Sequence, residues 1–121
     1  MLTIGAEKAL EALGDPTRRL VFERLRRRAR SVQEIADGMS VSRPAVSQHL
    51  KVLKTAGLVV VHAEGTRRLY AVDTRGIEAV RAWIEGFWEE ALFAFKEAAE
   101  REASTEESSD AGQKIRRRRA K

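Results

Sequence analysis

Apolar residues recur at the spacing of a helix between residues 41 and 58. Val46, Leu50 and Leu53 stand at i, i+4 and i+7, which places them on one side of a helix. Ser42 is a typical N-cap residue, and Gly57 is the residue type that most often ends a helix in the left-handed conformation. Polar and cationic residues occupy the opposite side. The pattern therefore predicts an amphipathic helix with one buried stripe and one face of hydrogen-bonding groups.

Three shorter helices are predicted before this one. Residues 3–13 have a helical pattern but too few apolar side chains for a core of their own. The Asp-Pro pair at 15–16 supplies an N-cap and a first-turn proline for the second helix. Ser31 and Glu34 form an S-x-x-E capping box that opens a third helix, which runs through Met39. Because only a short connection separates the third and fourth helices, the pair predicts a helix-turn-helix.

The period changes from helical to extended after the fourth helix. Two extended segments, LVVVH (58–62) and RRLYAV (67–72), flank a predicted four-residue turn, AEGT (63–66). Their spacing and the glycine in the turn predict a β-hairpin. Tyr70 and Val72 share a face of the second strand, which we expect to close the core. A hairpin directly after a helix-turn-helix is typical of a wing.

A last long helix is predicted after Asp73 and Thr74. Its apolar residues recur at threes and fours, and Trp83, Trp88 and Leu92 widen the stripe beyond what the side of a small domain exposes. An extended apolar surface usually marks an interface. We predict a dimer interface formed with the first helix, although a wholly internal core helix would have the same pattern. The interface residues predicted are Leu10, Leu13, Ile77, Val80, Ile84, Phe87, Trp88, Ala91 and Phe95.

Basic charge is concentrated around the predicted helix-turn-helix. The chain has 121 residues and a formal net charge of +5. Residues 15–75 carry thirteen basic and six acidic side chains, whereas residues 76–100 carry two basic and six acidic ones. This distribution favours a polyanion as partner, with a solvated basic surface as the alternative. The acidic last helix would lie away from a polyanion.

The polar face of the fourth helix carries side chains that suit the major groove of DNA. Arg43 suits guanine edges, and Gln48 suits adenine edges. Arg67 and Arg68 flank the tip of the hairpin, where they suit phosphate or the minor groove. A solvated face is the alternative for an isolated helix, but the neighbouring elements favour DNA contact. Four more residues suit the phosphate backbone: Ser42, Ser47, Lys51 and Lys54.

The order of these elements and four motifs resemble the ArsR-type family (arsenic repressor and related metalloregulators) of bacterial winged-helix repressors. The resemblance runs from about Ala12 to Ala94 and implies a homodimer, formed through the first and last helices, that binds an inverted repeat and represses transcription. The motifs are DPTRR (15–19), SVQEIA (31–36), SRPAVSQHLKVLKTAGLV (42–59) and EGTRRLYAV (64–72). With the resemblance, the DNA-binding residues predicted are Ser42, Arg43, Ala45, Ser47, Gln48, His49, Lys51, Lys54, Arg67 and Arg68.

The chain departs from the metal-sensing members of that family. Those members place cysteines in the third helix, or Asp, His and Glu ligands along the last helix, whereas this chain has no cysteine and its last helix has no histidine. His49 and His62 belong to the fourth helix and the first strand instead, and His49 is expected to pack or hydrogen-bond near DNA. Zinc and softer metals prefer imidazole and thiolate ligands, so we predict no metal site and no cofactor. The sequence does not identify an inducer.

The predicted fold is mainly α with a small β-hairpin, a winged helix-turn-helix in the order α-α-α-α-β-β-α. Residues 1–100 form its DNA-binding and dimerisation domain, and residues 101–121 form a disordered charged tail that contains four consecutive arginines. The chain has no apolar run long enough to span a membrane, and its N-terminal residues lack a signal-peptide pattern. We therefore expect a cytoplasmic protein with no membrane partner.

The predicted function is sequence-specific repression of transcription by a homodimer bound to double-stranded DNA. The alternative is a sequence-indifferent DNA-coating or architectural protein of the same fold, which would use the arginine-rich second helix and the tail. An enzyme is not predicted, because no nucleophile–base pair, phosphate loop or paired carboxylate cluster stands at useful spacing.

Overall fold

The computed structural model has the predicted order of helices and strands. It describes the backbone of residues 4–119 and the side chains of residues 5–106. The helices are α1 (Ile4–Ala12), α2 (Pro16–Glu23), α3 (Val32–Asp37), α4 (Arg43–Thr55) and α5 (Thr74–Arg119), and the strands are β1 (Val59–Glu64) and β2 (Arg67–Val72). The winged helix-turn-helix predicted from the sequence is confirmed, with α3 and α4 as its helix pair and the β1–β2 hairpin as its wing.

The predicted caps set the starts of the central helices. The Asp15 side chain accepts a hydrogen bond from the backbone N–H of Arg18 at 3.0 Å, which caps α2. The Ser31 hydroxyl and the Glu34 carboxylate form the reciprocal capping box of α3, with distances of 3.2 and 3.1 Å to the opposite backbone nitrogens. Each cap satisfies a backbone N–H that a helix start leaves without an internal partner. The short helices α2 and α3 therefore begin where the sequence predicts.

One hydrophobic core joins the first four helices to the hairpin. The predicted stripe of α4, made by Val46, Leu50 and Leu53, is fully buried. Tyr70 and Val72 pack against this core from β2, which confirms the face predicted for that strand. The other buried members of the core are Ala9, Ala12, Val21, Leu25, Ile35, Ala36, Leu58 and Val59. Burial of its apolar stripe fixes the rotation of α4, so its polar face points outward.

The hairpin turn is shorter than the sequence predicts. The antiparallel register pairs Glu64 with Arg67, so only Gly65 and Thr66 form the turn instead of the predicted four residues. Gly65 has a φ of 63°, which glycine adopts without strain at the first central position of a two-residue turn. The sequence prediction placed the glycine and the second strand correctly but ended the first strand two residues too early, at His62 instead of Glu64.

A third segment pairs with the hairpin, and the sequence did not predict it. Arg30, just before α3, forms an isolated antiparallel bridge with Tyr70 of β2. The two backbone hydrogen bonds of this bridge measure 2.9 and 2.8 Å. The bridge attaches β2 to the start of the helix-turn-helix, so the wing has a fixed position beside α3.

The last helix continues past the point at which the sequence predicts disorder. The chain forms two compact units, and the boundary between them falls after Ile84. Because α5 begins at Thr74 and ends at Arg119, it contributes to both units. The structure continues α5 through Arg119, whereas a disordered tail was predicted over 101–121. Helix-favouring Ala, Glu and Arg dominate residues 97–103, and α5 has no proline, which explains why the helix does not stop near residue 100. The proposed division into a domain of residues 1–100 and a separate charged tail remains a prediction.

Candidate nucleic-acid interface

The outward face of α4 brings together the predicted base-reading residues, Arg43 and Gln48, and two predicted phosphate-binding residues, Ser47 and Lys51. Arg43, Ser47 and Lys51 follow one another at intervals of four residues, and Gln48 lies beside them. All four side chains are exposed, as is that of Lys54, whereas Ala45 and His49 are half-buried. Because the opposite side of α4 is in the core, this face is presented to solvent as a rigid surface. It offers hydrogen-bond donors, acceptors and positive charge along about two turns of helix.

Ser42 has a structural role at the start of α4. Its hydroxyl oxygen accepts a hydrogen bond from the backbone N–H of Ala45 at 3.3 Å. A hydroxyl that accepts one hydrogen bond can still donate its own proton. The cap and the predicted phosphate contact are therefore chemically compatible.

His49 lies close to the start of α2. The backbone N–H of Arg18 is the largest cause of a lowered pKa of the Asp15 carboxyl, and smaller electrostatic contributions come from Arg18 and then His49. The side chain of His49 is half-buried. This position agrees with the packing role expected for His49, and its predicted contact with DNA remains a prediction.

The two arginines of the hairpin have different surroundings. Arg67 donates to the carboxylate of Glu34 at 2.6 Å, while Arg28 lies 3.0 Å from the other oxygen of that carboxylate. Arg68 is exposed and forms no ion pair with any residue that the structure describes. The sequence placed both arginines near DNA and assigned Glu34 only to the cap. It contains no signal for the Glu34–Arg67 pair, because the two residues are 33 positions apart.

The backbone N–H of Ser31 is the largest cause that lowers the pKa of the Glu34 carboxyl from 4.5 to about 2, and the side chain of Arg28 is the next. A lowered folded-state pKa stabilises the fold above the unfolded pKa, and this stabilisation is lost as pH falls towards the folded pKa. We expect the difference in unfolding free energy between the wild type and Glu34→Gln to be constant above about pH 6 and to shrink between pH 4.5 and about 2. Urea unfolding at several pH values measures it. A difference that does not change with pH would contradict the lowered pKa.

Several arginines after α2 make contacts within the chain. The Arg24 guanidinium lies against Gly38 in the helix-turn-helix connection. Arg30 donates through Nε to the backbone oxygen of Arg24 at 2.7 Å. Arg26 and Arg27 are exposed. Arg24, Arg28 and Arg30 therefore join α2, α3 and the hairpin through contacts within the chain.

The predicted dimer residues lie on the surface or at the edge of the core. Leu13 and Val80 pack against the core from its edge, and Leu10 is also half-buried. The remaining predicted residues are exposed: Ile77, Ile84, Phe87, Trp88, Ala91 and Phe95. An open hollow of about 590 Å³, lined in part by Leu13, Phe22, Val72 and Ile77, lies beside two of the predicted interface residues. These positions leave apolar surface exposed in a single chain.

Among residues with described side chains, no group of three or more His, Cys, Asp or Glu residues is arranged to hold a metal ion. Within that same part of the chain, no helix has the length and apolar character needed to cross a membrane. The absence of a metal-dependent response remains a prediction.

Comparison with known proteins places this fold in a family. A helix-turn-helix domain family matches residues 13–62. The HTH-type transcriptional regulator Rv2034 of Mycobacterium tuberculosis is 47% identical over 96 residues, which are 79% of this chain and 90% of that protein. A crystal structure described as an ArsR family transcriptional regulator, RHA00566, is 31% identical, with a TM-score of 0.64 over 74% of this chain and 94% of the other. The chain belongs to the ArsR family.

Two further relatives of this ArsR-family chain are a named repressor and a homodimeric DNA-binding domain. The HTH-type transcriptional repressor SmtB of M. tuberculosis is 43% identical over 65 residues, which are 54% of this chain and 48% of SmtB. A Mycobacterium bovis protein is described as a homodimeric winged helix-turn-helix DNA-binding domain and a possible ArsR-family regulator. It is 26% identical, with a TM-score of 0.58 over 73% of this chain and 82% of its own. The family consists of transcriptional regulators, which confirms the prediction that this chain is not an enzyme.

Proposed function

We propose that this ArsR-family regulator is a homodimeric repressor that binds an inverted repeat in double-stranded DNA through α4. The observation that carries this proposal is the exposed face of α4, where arginine, glutamine, serine and lysine side chains stand together opposite a fully buried stripe. In a helix-turn-helix, the second helix enters the major groove and its polar residues contact base edges. Relatives named as repressors support repression, and the matching helix-turn-helix family supports action on DNA, which we place in the cytoplasm.

The roles of the individual residues follow from their chemistry. Arg43 at the start of α4 matches the two acceptors of guanine, and Gln48 matches the donor and acceptor of adenine. Lys51 and Lys54 lie further along the helix, where a single cationic group suits a phosphate. Ser47 and half-buried Ala45 and His49 would border the same groove. The proposed site therefore divides into base-reading residues near the start of α4 and phosphate-binding residues near its end.

Removing a base contact should relax sequence preference. We expect Arg43→Ala and Gln48→Ala each to reduce discrimination at one base pair per half-site by about 1–3 kcal/mol, the value of a bidentate base contact. Lys51→Ala should weaken binding to all sequences alike, because phosphates carry no sequence information. Titration of each variant against duplexes with single base-pair changes measures the effect. Changed preference in Lys51→Ala, or unchanged preference in Arg43→Ala, would contradict these roles.

Homodimer formation is proposed from the exposed apolar face of α5. Ile84, Phe87, Trp88, Ala91 and Phe95 lie on one side of this helix, because they recur at threes and fours. Extended apolar surface of this kind usually marks an interface. The homodimeric M. bovis domain supports this arrangement for a protein of the same fold.

The proposed repressor binds DNA without a metal ion. The chain has no cysteine, and His49 and His62 lie on α4 and β1 rather than together. Soft and borderline metals select thiolate and imidazole groups, which this chain does not cluster in its described part. Binding of the selected duplex should therefore be unchanged by a chelator or by added zinc.

Selection of bound sequences from a random duplex pool tests the proposed function. The full chain and a variant that ends at Glu100 should both enrich the same inverted repeat at physiological salt. Binding without enrichment would favour the sequence-indifferent DNA-coating alternative, which predicts a steep salt dependence and little difference between sequences. Binding lost only in the shortened variant would move the main DNA contact from α4 to the residues after position 100.

A further inference from the structure

The tip of the hairpin is attached to α3 through the side chain of Glu34. Oε1 of this carboxylate lies 2.6 Å from Nη2 of Arg67, and Oε2 lies 3.0 Å from Nη1 of Arg28. Arg67 is the first residue of β2 and directly follows the turn at Gly65 and Thr66. The ion pair therefore attaches the turn end of the hairpin to α3. The opposite end, at Val59 and Val72, packs on the core.

The acceptor of this ion pair has a fixed position. Glu34 accepts the backbone N–H of Ser31 at 3.1 Å, while the Ser31 hydroxyl accepts the backbone N–H of Glu34. Arg28 binds the second oxygen of the carboxylate, so neither oxygen is free to turn away. The capping box thus positions the carboxylate on α3, and the carboxylate in turn positions the Arg67 guanidinium.

Fixing Arg67 also fixes the direction of Arg68. Successive side chains on a strand point to opposite faces of the hairpin. Since Arg67 points towards α3, Arg68 points to the other face. Arg68 is exposed and has no ion-pair partner among residues 5–106, so its charge is available to an external anion. Arg67 would have to give up a carboxylate in its own chain before it could bind a phosphate.

We propose that Glu34 and Arg67 are positioning residues of the hairpin and that Arg68 alone contacts the DNA backbone from it. This inference rests on the proposed function and narrows the set of DNA contacts predicted from the sequence, which includes both arginines. Arg28 supports the same arrangement because it holds the second oxygen of the Glu34 carboxylate. The pair acts on DNA binding through the orientation of the wing.

The salt dependence of binding distinguishes a positioning arginine from a phosphate-binding one. Each phosphate contact contributes about 0.9 to the slope of log K against log salt concentration for B-form DNA. Arg68→Ala should lower that slope by about this amount and weaken binding to all sequences. Arg67→Ala should leave the slope unchanged and weaken binding by about two- to fivefold, the range expected when an exposed ion pair is lost.

Glu34→Gln should change DNA affinity in opposite directions, depending on whether Arg67 positions the hairpin or binds a phosphate. The amide oxygen still accepts the Ser31 N–H, so the capping box is kept while the charge is removed. For a positioning pair, Glu34→Gln weakens DNA binding about as much as Arg67→Ala, and the double variant is no weaker than either single variant. If Arg67 contacts phosphate, Glu34→Gln instead strengthens binding and Arg67→Ala lowers the salt slope. Either of these two results would overturn the proposal.

A measurement without DNA separates this proposal from the proposed function. Amide hydrogen exchange in residues 62–69 of the free protein should become faster in both Glu34→Gln and Arg67→Ala, and stay unchanged in Arg68→Ala. Unchanged exchange in all three variants would overturn the attachment of the wing even if the chain binds DNA selectively. Faster exchange in the first two variants, together with a wild type that shows no sequence preference, would support the attachment and contradict only the proposed function.

Discussion

Replacing Leu50 with alanine should lower the free energy of unfolding by about 2–5 kcal/mol, the range for truncating a fully buried leucine. Leu50 is 0% exposed and lies in the middle of the buried stripe of α4. The substitution removes apolar contacts and leaves a cavity that the surrounding helices fill only in part. Because small domains are stable by only about 5–15 kcal/mol, the loss is a large fraction of the total. Urea unfolding followed by circular dichroism, at one fixed protein concentration, measures it.

Val52→Ala is the matched control for this prediction. Val52 lies two residues further along the same helix and is 41% exposed. Its truncation removes little buried surface, and alanine favours the helix slightly more than valine, so we expect a change within about 0.5 kcal/mol. Equal losses in the two variants would show that α4 is not oriented with Leu50 in the core. Its polar face could then not be the surface presented to DNA.

Replacing Phe95 with glutamate should raise the dissociation constant of the dimer by about thirtyfold or more. Phe95 is 74% exposed on the apolar side of α5 that we propose as the interface. Loss of an aromatic anchor at an interface can cost about 2 kcal/mol or more, and a buried unpaired carboxylate adds to this cost. Sedimentation equilibrium over a range of protein concentrations measures the dissociation constant.

Phe93→Glu introduces the same charge at a matched position. Phe93 is 66% exposed and lies two residues away, so a helical rotation of 100° per residue places it on nearly the opposite side from Phe95. We expect Phe93→Glu to remain dimeric at concentrations where Phe95→Glu is monomeric. If both variants dissociate equally, the effect comes from helix stability or general charge. A dimer that both substitutions leave intact would place the interface elsewhere.

Local signals in the sequence predicted most of the fold. The caps at Asp15, Ser31 and Ser42 act over three residues, and the stripe of Val46 and Leu50 over four, so each is readable from neighbouring positions. These local caps and periodicities agree with the packing of the folded chain. They were therefore enough to predict the order of the helices and strands. The outward face of α4, with its candidate DNA-binding residues, followed from the same periodicity.

Features that depend on pairing between distant segments could not be predicted in this way. The turn at Gly65 depends on strand register, which both strands and the core determine together. The bridge between Arg30 and Tyr70 and the ion pair between Glu34 and Arg67 join segments whose separation in sequence carries no periodic signal. The sequence consequently identified the two arginines of the wing, but it did not show that Arg67 forms an ion pair with Glu34.

The paired use of two α4 helices is tested most directly by changing the spacing of the selected inverted repeat. A dimer places its two reading helices about one turn of DNA apart, and inserting about five base pairs between the half-sites rotates one of them to the opposite side of the duplex. We expect the affinity of the full chain for the lengthened duplex to fall to its non-specific level, a loss of about a thousandfold or more. An affinity that is unchanged by the insertion would contradict recognition by a rigid homodimer.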